Sequence, residues 1–150
     1  MALISRRAIL AGVGIAAAGA VAYTAVRAPG SDRTLMTPPE ALEAARRGDI
    51  LLVDIRRPDE WEETGLAEGA IPIDMRREDF ADALAHARAA SNRPVALICA
   101  RGVRSRRLTA VLTDADIGPI IDIPEGMLGS LAGPGWLKRN LPVQPWTGET

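Results

Sequence analysis

The sequence predicts an α/β domain: a central, mostly parallel sheet flanked by helices on both faces. Three continuous apolar runs, "ILLVDI" (Ile50–Ile55), "PVALIC" (Pro94–Cys99) and "PIIDI" (Pro119–Ile123), carry no polar alternation. That is the pattern of strands buried on both sides. Stretches with helical spacing lie between them, and strands alternating with helices give a parallel sheet.

Residues 31–36 read as a linker running into a short extended piece. Thr37-Pro38-Pro39-Glu40 then starts a helix, with Thr as N-cap, Pro at the first position and Glu three residues after the cap. The helix continues through "EALEAARR" and ends at Gly48. After the first strand, "RPDEWEETG" is a short polar helix with Trp61 as its packing residue, and "AIPID" is a brief extended piece. "REDFADALAHARAA" places Phe80, Leu84 and Ala87 on one helical face. The helix "SRRLTAVLTDADI" is expected to turn Leu108, Val111 and Leu112 inward, with Asp114 and Asp116 in the turn that closes it. Trp61, Trp136 and Trp146 read as packing residues and His86 as a solvated one.

The first thirty residues have a different character. Ser5-Arg6-Arg7 precedes an Ala/Gly-rich apolar run over residues 8–26. Residues 1–30 are therefore expected to be a twin-arginine-type signal peptide cut after Ala20-Val21-Ala22, or an uncut membrane anchor. Ile9 and Ala11 depart from the full twin-arginine pattern. Either alternative places the body, residues 31–150, in the periplasm. Residues 1–30 hold Arg6, Arg7 and Arg27 and no acid, so 18 basic and 19 acidic side chains become 15 and 19 in the body, a formal charge of −4. An acidic body argues against nucleic-acid binding. No cluster of Cys, His and carboxylates has metal-ligand spacing, so no metal site is expected.

The chemistry concentrates at the single cysteine. Cys99 ends an apolar run, and the helix after it is expected to start near Ser105. Cys99, Ala100, Arg101, Gly102, Val103 and Arg104 must then make a tight loop over a helix N-terminus, where Gly102 permits a cramped turn. Ligands bind at the carboxyl ends of parallel strands, and converging N–H groups at a helix start favour an anion. A thiol held there is expected to be a thiolate nucleophile: a fall of about two units from the usual ~8.5 makes the anion dominant at neutral pH. The chain offers Cys99 no disulfide partner.

"LLVDIRRPDEWEETG", "CARGVRS" and "GWLKRNLPV" together resemble a single-domain rhodanese, from about Thr37 to Val143. Asp54-Ile55-Arg56 is similar to that family's D-[VI]-R strand end, and Cys99 to Ser105 to its C-x-x-G-x-R-S loop. The resemblance implies a rhodanese-like fold and a cofactor-independent sulfurtransferase. A small anionic donor such as thiosulfate would give sulfane sulfur to Cys99, and the persulfide would pass it to cyanide or a thiol. The amides of Ala100 to Arg104 would hold the persulfide charge, and Arg101 and Arg104 would attract the donor. Asp54 and Arg56 either brace this loop or satisfy local backbone groups. The alternative is a sulfur carrier or sensor module without turnover, bound to a periplasmic protein partner. Phosphatases of related fold place Arg six residues after Cys; here that residue is Ser105 and Arg104 comes one earlier, the shorter loop type. Glu125-Gly126 stands where Gly-Gly is usual, Thr64-Gly65-Leu66 where Gly-His-Ile is frequent, and an extra stretch, Gly129–Gly135, precedes Trp136. That stretch is either a cover or partner site at the pocket mouth or a slack surface loop. Arg106 and Arg107 read as helix-surface residues.

Overall fold

The computed structural model describes residues 26–27, 34–89 and 91–148. The expected leader therefore lies outside the described residues, except that Val26–Arg27 (β1) pairs antiparallel with Thr34–Leu35 (β2). Among the described residues no helix is long and apolar enough to cross a membrane.

The apolar runs become Leu51–Asp54 (β3), Val95–Ile98 (β6) and Ile120–Asp122 (β7), every residue of them buried. With Ile71–Pro72 (β5) they build a six-stranded sheet in the order β1-β2-β7-β6-β3-β5. Every neighbouring pair from β2 to β5 is parallel. The strand carrying the cysteine loop, β6, sits between β3 and β7, so its carboxyl end is walled by the ends of two others.

Alternation along each strand divides the core. Ile50, Leu52, Ala96, Ile98 and Ile121 face one side with Met36, Ala41 and Ala44 of the first helix region and with Trp136. Leu51, Val53, Val95, Leu97 and Ile120 face the other with Phe80, Leu84 and Leu112, and Cys99 shares this second face. Helices thus cover both faces: Pro38–Arg47 (α1) and Gly135–Lys138 (α5) on the first, Phe80–Ala89 (α3) and Val103–Asp114 (α4) on the second. The backbone N–H of Thr37 donates to Glu40 Oε2 at 2.8 Å, and Gly48 closes α1 in the left-handed region. Pro58–Thr64 (α2) buries Trp61 as expected.

Two expectations are corrected. Helix α4 begins at Val103, not near Ser105. Its buried stripe is Ser105, Thr109 and Leu112, spaced four and three apart, while Val111 is 62% exposed. Each residue turns about 100° round the helix, so Val111 cannot share the face of Leu112 and Ser105. A small antiparallel pair, Leu66–Ala67 (β4) with Val143–Gln144 (β8), ties the C-terminal segment to the turn after α2.

Candidate active site

Three chain connections meet at the carboxyl edge of the sheet: β3 into α2, β6 into α4, and the segment after β7. The Cys99 loop is the middle one. Cys99 is 1% exposed, and its Sγ accepts the Gly102 N–H at 3.1 Å and the Ser105 N–H at 3.5 Å. The Ser105 hydroxyl lies 3.5 Å from the same sulfur. Gly102 is the N-cap of α4 with φ 75°, so both amides belong to the helix's electropositive start. A side chain at Gly102 is blocked twice: the backbone is left-handed, and a Cβ there would lie 2.0 Å from the Pro124 carbonyl oxygen.

The segment after β7 holds the other side of the loop. Met127 N–H donates to Cys99 O and Leu128 N–H to Ala100 O, both at 2.8 Å. Gly126, at φ 65°, allows this approach, since its Cβ would stand 2.6 Å from both carbonyl oxygens. The loop's first two carbonyls are thereby turned away from the sulfur, leaving N–H groups to face it.

Asp54 and Arg56 lie together in the interior, with 2.8 Å between Arg56 Nη2 and Asp54 Oδ2. Arg56 also donates to the carbonyls of Glu60 and Gly65 and to the Thr64 hydroxyl. No hydrogen bond joins either residue to the cysteine loop among the described residues. The pair clamps α2 and its closing turn to the end of β3, and the Asp54 charge also acts on Arg104 of the loop. A hydrogen-bonded brace to the loop is supplied by Glu60, which the sequence reading missed. Its carboxylate accepts two N–H bonds from Arg104 at 2.6 and 2.7 Å. This fork holds the Glu60 carboxyl down at about 2. Arg104 is thus engaged by Glu60 while its side chain stays 31% exposed.

Arg101 is exposed and lines, with Arg106, a cavity of about 310 Å³ beside Gly102, Val103, Pro124 and Leu131. The extra stretch Gly129–Gly135 forms the far wall and is tied down rather than slack. Ser130 and Gly133 exchange backbone hydrogen bonds at 2.9 and 3.2 Å, and the Ser130 hydroxyl donates to Pro124 O at 2.7 Å. Beneath it the buried Glu125 accepts from the Gly135 N–H at 2.9 Å and from Arg139 at 2.8 Å. Burial pushes the Glu125 carboxyl up, but the Arg139 hydrogen bond and the Gly135 amide outweigh it and leave the carboxyl below its usual range. The substitution of glutamate at the Gly-Gly position is what anchors the extra loop. Its only sequence signal is an acid where glycine is usual.

His86 is exposed, and no group of His, Cys and carboxylates suited to a metal occurs among the described residues. Trp61 and Trp136 are buried, and Trp146 packs edge-on against Trp61 with ring centres 5.4 Å apart. The arrangement centres on a single buried sulfur that accepts hydrogen bonds from amides at a helix start.

A family profile described as Rhodanese-like domain matches residues 37–129. Among solved structures, the chain is similar to the polysulfide-sulfur transferase homodimer of Wolinella succinogenes, with 23% identity and TM-score 0.59, covering 79% of this chain and 82% of that one. It is similar to Rv0390 from M. tuberculosis with 24% identity and TM-score 0.57, covering 75% and 97%. A protein of unknown function from Rhodopseudomonas palustris, described as a possible tyrosine phosphatase, matches with 22% identity and TM-score 0.56, covering 75% and 85%. No curated protein matches the sequence. At these identities the solved structures speak for the fold.

Proposed function

The chain belongs to the rhodanese-like domain family, and on that premise we propose that it is a sulfurtransferase working through a persulfide on Cys99. The observation that carries this reading is the pair of amides, Gly102 and Ser105, directed at a buried sulfur. The Cys99 thiolate attacks the outer sulfur of thiosulfate, the sulfur–sulfur bond breaks, and sulfite leaves with the electron pair. The new terminal sulfur lies about 2 Å beyond Sγ of the buried cysteine. Its negative charge stays near the start of α4. An acceptor, cyanide or a thiolate, then attacks that outer sulfur and regenerates the thiolate, so no external oxidant or cofactor enters. The paired arginines and the apolar run over residues 8–26 support export to the periplasm, soluble after cleavage or tethered without it.

Incubation with thiosulfate is expected to raise the intact mass by one sulfur atom, and Cys99→Ser to abolish both the mass increase and thiocyanate formation from cyanide. Persistence of either in Cys99→Ser would refute the nucleophile. A second reading, a carrier or sensor without turnover, is favoured by the near-complete burial of Cys99. Stoichiometric sulfur loading with no thiocyanate turnover is the result that would select it. Phosphatase chemistry has less support, because the loop's arginine is held by Glu60.

A further inference from the structure

The described guanidinium groups divide sharply. Arg46, Arg47, Arg56, Arg57, Arg76, Arg77, Arg88, Arg93, Arg104 and Arg139 each donate to a carboxylate or a backbone carbonyl of the chain. Arg101, Arg106 and Arg107 have no hydrogen-bond or ion-pair partner among the described residues, and all are exposed. These unpaired cations fall within one short stretch at the cysteine loop and the first turns of α4. Residues 31–150 carry a formal charge of −4, yet among the described residues no carboxylate pairs with these three arginines.

Beside Arg101 and Arg106 stands an apolar tip. Leu131 is fully exposed, and Val103, 47% exposed, lines the same cavity. Leu131 is no accident of a slack loop, since the Ser130–Gly133 pairing and the buried Glu125 carboxylate hold the turn beneath it. A side chain that projects free of its own protein adds little to the grip on a small anion such as thiosulfate. It suits insertion into a recess on another protein, an anchor surrounded by a charged rim.

We propose that Arg101, Arg106, Arg107 and Leu131 form the docking face for an acidic protein partner whose cysteine exchanges sulfur with Cys99. The choice rests on charge complementarity, carboxylates on the partner against three unpaired guanidinium groups, and builds on the sulfur-transfer reading above. Attraction between such patches raises the association rate and weakens as salt rises.

The probes are two synthetic peptides of equal length, each with one cysteine and a leucine beside it, one flanked by glutamates and the other by lysines. Binding is measured by fluorescence anisotropy with the peptide cysteines alkylated, so that it does not depend on sulfur transfer. The acidic peptide is expected to bind the full protein at least about tenfold tighter than the basic one at low salt, a preference lost near 0.5 M NaCl. Arg106→Glu with Arg107→Glu should reverse the preference, and Leu131→Ser should weaken acidic-peptide binding while thiosulfate–cyanide turnover stays unchanged. Equal binding of the two peptides, or indifference to these substitutions, would overturn the docking face. So would a change of oligomeric state in the arginine variants, which would make the occupant a second copy of the chain. Preferential binding without any sulfur loading from thiosulfate would keep the docking face and refute the transfer reading instead.

Discussion

At the scale of single residues, Gly102 does more than any side chain except the thiol. Its N–H is the closest donor to Sγ, its φ of 75° suits glycine, and its missing Cβ leaves room for Pro124 O. Gly102→Ala meets both obstacles. The left-handed backbone alone costs about 1–3 kcal/mol, and the clash requires the segment after β7 to move. The expected outcome is a lower Tm together with at least about a hundredfold slower persulfide formation, since the strained backbone turns the aligned N–H away from the sulfur and a lost donor costs on that order. Stopped-flow loading with thiosulfate checks the rate, and calorimetry the stability. Loading at the wild-type rate would show that the Gly102 amide does not stabilise the sulfur anion. This residue was legible from sequence, because a glycine three positions after a strand-terminal cysteine has few other reasons to be there.

At the scale of elements, the cysteine loop is held by its neighbours. Helix α2 grips the start of α4 through Glu60 and Arg104, and β3 grips α2 through Arg56. The Glu60 carboxyl ionises at about 2 in the folded protein against an ordinary 4.5. A depressed carboxylate contributes stability that is complete above the unfolded value and lost as pH falls through the folded one. The window is therefore about 4.5 down to about 2. Glu60→Gln is expected to lose on the order of 1 kcal/mol at neutral pH, allowing for solvent screening of a partly exposed pair. It should also flatten the decline of Tm across that acid window, which thermal melts from neutral to pH ~2 would reveal. Parallel acid slopes in the two proteins would remove Glu60 from the account. The sequence could not show this strut: Glu60 and Arg104 are 44 positions apart, Glu60 alone reads as an ordinary helix-surface charge, and Arg104 reads as a contact for the donor.

At the scale of the whole molecule, the sheet keeps the Asp54–Arg56 ion pair in its interior. Asp54 and Arg56 are 0% and 1% exposed, and the guanidinium satisfies three groups of α2 and its turn besides the carboxylate. Removing one partner strands the other charge out of water, which typically costs about 3–5 kcal/mol. For a domain of this size that is a large part of the total stability. Arg56→Met is therefore expected to unfold cooperatively at far lower urea or not to fold, and Arg56→Lys to rescue little, because an ammonium cannot reach the carboxylate and three further acceptors at once. A urea midpoint unchanged in Arg56→Met would contradict the clamp.

By itself the sequence determined the layered α/β architecture, the position of Cys99 at a strand end and the glycine that shapes its loop. These are local matters: strand burial, helix starts and tight turns are written in spacings of a few residues. Only the tertiary structure decided which charges meet. It gave Arg104 to Glu60 and Arg139 to Glu125, left Arg101, Arg106 and Arg107 without partners among the described residues, turned Val111 outward and fixed Leu131 on a braced tip. The physical reason is that a charge or an exposed apolar side chain takes its role from whatever the fold brings within a few ångströms, and distance along the chain carries no record of that.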